Sequence, residues 1–177
     1  MSANQNDRRF IAVEGPIGVG KTSLARLLAA SLGAELLLED PADNPFLPKF
    51  YADLKRYALA TQLHFLCQRT RQLQPHAQPD FSKPGLVADF MFEKDLLFAR
   101  IALGPHEFEL YEEIFRQFAP QIPTPSLVLY LRAPLETLRS RITRRGIDYE
   151  QQIQASYLER LNDEYAKFFL SYSASPV

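Results

Sequence analysis

Nine residues, Glu14-Gly15-Pro16-Ile17-Gly18-Val19-Gly20-Lys21-Thr22, carry types and spacing that can do chemistry. They contain G-x-x-x-x-G-K-[ST], the pattern of a phosphate-binding P-loop. Gly15, Gly18 and Gly20 allow backbone N–H groups to turn inward without a Cβ in the way. The backbone N–H groups of Gly15, Ile17, Gly18, Val19 and Gly20, with the positive end of a following helix, can hold phosphate oxygens, and Pro16, which has no N–H, lies within the same binding stretch. Lys21 suits the β- and γ-phosphates, and the Thr22 hydroxyl suits Mg²⁺. The competing explanation is a glycine-rich turn before an ordinary helix. The flanking residues favour the P-loop. Phe10–Val13 is a short apolar, β-prone run, and Leu24, Leu27, Leu28 and Leu32 sit at helical spacing within residues 23–32.

A loop of this kind needs a sheet to hold it. Four runs qualify as strands: Phe10–Val13, Glu35–Leu38, Gly85–Ala88 and Leu127–Leu131. Helical segments lie between them, which predicts an α/β fold with a mostly parallel sheet of four strands, or five, flanked by helices. In such folds ligands collect beyond the carboxyl ends of the strands. Glu39 and Asp40 follow the second candidate strand and Asp89 the third, so acidic groups project towards the phosphate site. Helix capping is the simpler explanation for Glu39 and Asp40.

Asn44-Pro45-Phe46-Leu47 opens a long helical region running, with a break allowed, to Gln74; no Gly or Pro interrupts residues 50–73. On a 3.6-residue period Tyr51, Gln62 and Arg69 fall close to one line, with Ala58 leaving open space and Leu59, Leu63, Phe65 and Leu66 packing nearby. Such a stripe can hold a flat heterocycle, or it is a solvated face. A proline-rich loop follows over residues 75–84. Residues 90–103 read as an apolar helix carrying Asp95, broken by Gly104-Pro105. Residues 107–118 form a further helix whose Phe108, Tyr111, Ile114, Phe115 and Phe118 read as core or dimer contacts. Residues 134–145 form a helix closed by Gly146. Its Arg139, Arg141, Arg144 and Arg145 complement the helix dipole or form a lid over transferring phosphates. After Glu150 a last helix runs to about Tyr172, and Ser175-Pro176-Val177 stands where a fifth strand would begin.

The chain of 177 residues has a net charge of −1, which argues against broad attraction to nucleic acid or an anionic membrane. One cysteine, Cys67, excludes an internal disulfide and a cysteine-based zinc site. His64, His76 and His106 lack metal-ligand spacing. Residues 1–9 are polar without the apolar core of a signal peptide, and no apolar run has the length of a membrane span. These features predict one domain over residues 1–177, flexible over residues 1–8, in the cytoplasm.

Assembled, these residues resemble the deoxynucleoside kinases, with the bacterial deoxyadenosine/deoxyguanosine kinase branch the nearest match. Glu14 to Thr22 is similar to that family's E-G-x-I-G-x-G-K-[ST]. Asn44-Pro45-Phe46-Leu47 is similar to the branch's N-P-[FY]-L, and Tyr51, Gln62 and Arg69 match the helix lining the nucleoside pocket. Tyr130-Leu131, Pro134-Leu135-Glu136 and Arg141 to Gly146 resemble the final strand-to-lid passage. The resemblance implies a P-loop kinase fold, commonly a homodimer, transferring the γ-phosphate of ATP or another triphosphate to a deoxynucleoside 5′-hydroxyl. It implies Glu39 as proton acceptor, Tyr51 and Glu150 on the 3′-hydroxyl, Gln62 and Asp95 on the base with Arg69 beside them, and Arg141 and Arg145 on the donor phosphates. Thr22 and Asp89, the latter through water, would hold Mg²⁺.

The chain departs from the family pattern in two places. Phe90 and Met91 follow Asp89 where an arginine and a serine usually stand, which removes a charge-assisted contact near the reacting centre; Arg69 or a lid arginine is the expected substitute. The usual fifth strand and donor-adenine loop do not follow Val177. Two other readings compete: a nucleoside monophosphate kinase resembling thymidylate kinase, which the Tyr51/Gln62/Arg69 pattern fits less well, and a non-catalytic nucleotide-binding protein descended from a kinase. A GTPase switch is disfavoured, because no N-K-x-D sequence is present to read guanine.

Overall fold

The computed structural model describes residues 10–78 and 84–177. Four strands, β1 (Phe10–Glu14), β2 (Glu35–Leu37), β3 (Leu86–Ala88) and β4 (Leu127–Tyr130), form one parallel sheet in the order β2-β3-β1-β4. Seven α-helices surround it among the described residues: α1 (Lys21–Leu32), α2 (Leu47–Ala52), α3 (Leu54–Leu73), α4 (Lys94–Ala102), α5 (Pro105–Phe118), α6 (Leu135–Arg145) and α7 (Ala155–Ser171). The four expected strands are all present, each within a residue or two of its predicted bounds.

The sheet is covered on both faces, as parallel sheets require. Val13 and Val87 pack against Ala25 and Ala29 of α1 on one face. Phe10, Ala12, Leu86, Ala88 and Val128 pack on the other against Leu66 and Leu73 of α3 and Tyr111 and Phe115 of α5. A third apolar cluster joins α2, α3, α4 and α7 through Phe50, Phe65, Leu97, Leu161 and Tyr165. The last cluster lies beyond the carboxyl ends of the strands, where ligands of such sheets collect.

Several sequence expectations are corrected. In α1 the buried residues are the small ones, Ala25 and Ala29, so that the helix lies close to the sheet, and Leu27 and Leu32 are 70% and 55% exposed. The long helical region is two helices. Asp53 separates them and its carboxylate accepts the Arg56 N–H, starting α3. Tyr51 therefore stands on α2, off the line that Gln62 and Arg69 share on α3. The helix expected from residue 90 begins at Lys94; Phe90, Met91 and Phe92 are an irregular buried segment in the core. The apolar side of α5 is used inside this chain, with Tyr111 and Phe115 buried and Phe108, Ile114 and Phe118 packed on the same cluster. That side contributes to the core of this chain. Residues 175–177 are not a strand, although the Val128 N–H donates to the Pro176 carbonyl at 2.9 Å along the outer edge of β4. Residues 79–83 of the proline-rich loop, and the segment expected to be flexible at residues 1–8, lie outside the described residues.

Gly15 fixes how the loop leaves β1. Its φ is +147°, and a Cβ there would stand 2.4 Å from the Leu131 carbonyl oxygen. That carbonyl cannot retreat freely, because the Leu131 N–H is bonded to the Glu14 carbonyl at 2.7 Å. Gly15→Ala should therefore lower unfolding free energy by about 3 kcal/mol or more. Gly33→Ala, at φ +60° with no heavy atom near the new Cβ, should cost only about 1 kcal/mol. Urea midpoints of the two variants check the difference.

Candidate active site

The P-loop is a wall between two cavities. One, of about 260 Å³, is bounded by the loop, β2's end, α2, α3 and the segment after α6. The other is a cleft of about 630 Å³ bounded by residues 18–23 and by Arg141, Arg144 and Arg145 of α6. Gly18, Lys21, Thr22 and Arg145 border both. Gly18 lets the loop approach α6: its φ is +83°, and a Cβ would meet the Leu138 carbonyl oxygen at 2.9 Å.

The segments after β2 and β3 and the start of α1 meet at Asp89. Its Oδ2 accepts the Thr22 hydroxyl, and its Oδ1 accepts the Glu39 N–H at 2.8 Å. One carboxylate thus joins β3 to the start of α1 and to the segment after β2. Glu14, at the end of β1, does similar work out of sight. Its buried carboxylate accepts the N–H groups of Gly15 and Met91 and the Tyr165 hydroxyl, at 3.0, 2.8 and 2.9 Å.

Glu39 lines the smaller cavity with Lys21 and Thr22. Its Oε1 accepts from Arg69 Nε at 2.8 Å and from Arg69 Nη2, and its Oε2 accepts from Lys94 Nζ at 3.1 Å. Burial alone would raise its pKa, but the charges of Arg69 and Lys94 and their hydrogen bonds outweigh it and hold the carboxyl at about 2. Lys21 Nζ donates to the carbonyls of Gly15 and Pro16 at 2.8 and 3.2 Å. Burial, then repulsion from Lys94, brings its pKa down to about 8.

The far end of the cavity is floored by α3. Gln62 and Thr61 are buried there, and Gln62 Oε1, Thr61 Oγ1 and the Tyr157 hydroxyl have no hydrogen-bond partner among the described residues. Buried polar atoms left this way cost stability unless a ligand satisfies them. Asp95 is fully buried and does not line the cavity. Its Oδ1 binds Arg69 Nη1, and its Oδ2 has no hydrogen-bond partner among the described residues. Arg69 does line it, stacked over the Phe65 ring at 4.7 Å. Asp95 thus reaches the cavity through Arg69.

Tyr51, from α2, stacks on Tyr149 with ring centroids 6.2 Å apart and meets Tyr157 edge-on. Glu150 is buried beside them and takes both Arg145 donors, Nε at 2.9 Å and Nη2 at 2.7 Å. Arg141 lies on the other side of the wall, its Nη1 donating to the Val19 carbonyl at 2.7 Å.

The structure thus gathers Lys21, Thr22, Glu39, Tyr51, Gln62, Arg69, Asp89, Arg145 and Glu150 around one cavity, sets Asp95 behind it and places Arg141 in the adjoining cleft. Sequence reasoning missed Lys94, Tyr149, Tyr157 and the role of Glu14. Lys94 carried a usable signal, a cation between Glu93 and Asp95 within the apolar run that follows the third strand. No arginine occupies position 90, and Phe90 faces the core; Arg69 and Lys94 together contact Glu39.

A parallel sheet, a P-loop dividing two clefts and arginines over one of them define a P-loop phosphotransferase. The deoxynucleoside kinase family model matches residues 11–177. The chain belongs to the deoxynucleoside kinase family, whose members are ATP-dependent phosphotransferases. It is 40% identical to a deoxyguanosine kinase of Bacillus subtilis, over 90% of this chain and 78% of that one. It is 31% identical to a deoxyadenosine/deoxycytidine kinase of the same organism, over 95% and 80%. A deoxyadenosine kinase from M. mycoides, solved with dCMP and a flexible dCDP, superposes with a TM-score of 0.84 at 25% identity, covering 95% of this chain and 88% of that chain. The same enzyme with dATP bound gives 0.82 at 26% identity, over 92% and 84%.

Proposed function

We propose that this kinase phosphorylates purine deoxynucleosides at the 5′-hydroxyl, with Glu39 accepting the hydroxyl proton. The observation that carries the reading is the placement of Glu39 on one cavity wall with Lys21 and Thr22, while Gln62, whose Oε1 has no partner among the described residues, lies at the other end. A nucleoside spanning that length puts its base on α3 and its sugar alcohol beside Glu39 and the P-loop. The purine choice is supported by the deoxyguanosine and deoxyadenosine kinases among the relatives.

In this reading the 5′-oxygen bonds to the γ-phosphorus, the bond to the β–γ bridging oxygen breaks, and the nucleoside diphosphate leaves. The proton passes to Glu39. Tyr51 and Glu150 hold the 3′-hydroxyl; Gln62 and Arg69 face the base, with Asp95 orienting Arg69. Residues 15–22 hold the donor phosphates with Arg141 and Arg145. Most of the rate then comes from alignment and charge neutralisation. Thr22 and Asp89 fit Mg²⁺, since a hydroxyl and a carboxylate oxygen already meet there and both are hard oxygen donors. No cluster of three metal-ligating side chains exists among the described residues, so phosphates and water would complete the shell. Mg²⁺ bound there would neutralise charge on the donor phosphates.

A single domain over residues 1–177, a homodimer and a cytoplasmic location belong to the same proposal. No described helix is long and apolar enough to cross a membrane.

The test is transfer of labelled phosphate from ATP with Mg²⁺ to each of the four deoxynucleosides. Deoxyguanosine and deoxyadenosine should give product at least about tenfold faster, in kcat/KM, than the pyrimidines. Product from monophosphates alone would replace this reading with that of a monophosphate kinase.

A further inference from the structure

Four cations approach the smaller cavity, and three are committed. Arg69 spends Nε and Nη2 on Glu39 and Nη1 on Asp95. Arg145 is held by Glu150 through two bonds. Lys21 is folded onto two loop carbonyls. Lys94 differs. It is buried, lines the cavity and carries three N–H donors, yet among the described residues its only hydrogen-bond acceptor is Glu39 Oε2, at 3.1 Å. The face of Phe98, 5.4 Å from Nζ, covers it on one side. Two donors of a desolvated ammonium are thus left over beside the P-loop lysine.

We propose that Lys94 is a catalytic cation of this kinase: it holds Glu39 by one carboxylate oxygen and, with a triphosphate bound, gives its remaining donors to the transferring phosphoryl group. The proposal rests on the reading of Glu39 as proton acceptor and deepens it. Lys94 gives up no proton in the proposed step. As the 5′-oxygen bonds to phosphorus and the bridging bond breaks, the hydroxyl proton goes to Glu39 and charge spreads over the phosphoryl oxygens, where a preplaced cation in a water-poor cavity acts most strongly. Lys21 binds the same phosphates from the loop side. The repulsion between the two ammonium groups is what an anion placed between them would relieve.

The experiment compares Lys94→Met, Lys94→Gln, Lys94→Arg, Glu39→Gln and the Lys94→Gln/Glu39→Gln double variant. The readouts are kcat, nucleoside Kd by calorimetry without donor, and melting temperature. Lys94→Gln keeps a donor for Glu39 but no charge, and stands in for Lys94→Met should the latter not fold. Both should lose about 100-fold in kcat with nucleoside Kd within about threefold, and Lys94→Arg should recover to within about tenfold of the native enzyme. In the Glu39→Gln background, Lys94→Gln should still cost at least about tenfold. Native-like kcat in Lys94→Gln beside a crippled Glu39→Gln overturns the proposal and leaves the base assignment standing. A Lys94→Gln effect that vanishes in the Glu39→Gln background also overturns it, reducing Lys94 to a positioning residue. Normal turnover by Glu39→Gln would instead sink the base assignment, and the loss in Lys94→Gln alone then decides for or against the cation.

Discussion

Glu39→Gln is expected to lower kcat by about a thousandfold while changing nucleoside Kd by less than about threefold. A positioned general base contributes about 10²–10⁴-fold, and the amide keeps the shape and one acceptor oxygen while losing the ability to take a proton. The loss should fall equally on kcat and kcat/KM, the pattern of an interaction made only in the transition state. Neighbouring carboxylates offer no ready substitute: Asp89 serves Thr22 and the Glu39 N–H, and Asp40 accepts the Ala42 N–H. The amide also leaves Lys94 facing an N–H donor, so about 2–3 kcal/mol of stability should be lost. Melting curves separate that cost from the chemistry. Unchanged kcat would move proton acceptance away from Glu39.

Lys21→Met should reduce kcat/KM for the triphosphate by about a thousandfold or more, because its ammonium is the loop's point charge for the β- and γ-phosphates. The same variant should be more stable without ligand. Burial and Lys94 hold the pKa of Lys21 down to about 8 from an ordinary 10.5, so the folded protein disfavours the charged lysine. The penalty is fully present below pH 8. It fades as pH rises from about 8 to 10.5, where the unfolded chain releases its proton too. Lys21→Met should therefore melt a few degrees higher than the native protein at pH 7, with the gap narrowing steadily as pH rises towards 10.5. An equal or lower melting temperature at pH 7 would show that the lysine is not held at a cost.

Much of this site was legible because its signals are local. The P-loop is a run of adjacent residues whose glycine positions carry steric meaning, and Gly15 and Gly18 meet backbone carbonyls where a Cβ would go. The strand ends were legible because a parallel sheet needs apolar runs, and Glu39 and Asp89 interrupt such runs at their close. What escaped was long-range. Nothing near Glu14 announces that its carboxylate will bond Met91 and Tyr165. Nothing near Lys94 names Glu39, far away in sequence, as its partner. The helical line through Tyr51, Gln62 and Arg69 picked out residues that line one cavity, but by a partly wrong route, since Asp53 breaks the helix and Tyr51 arrives from α2. The aromatic side of α5 showed that burial was needed but not by what; its own sheet supplied the cover.

The partition formed by the P-loop has a bearing on how such enzymes diversify. Among the described residues the two compartments share only Gly18, Lys21, Thr22 and Arg145, while the end proposed for the nucleobase is furnished by α3 and the residues behind it. Under the proposed assignment of the two ends, a lineage can retailor which nucleoside it salvages through changes around Gln62 and Asp95, leaving the chamber that receives its energy source as it was.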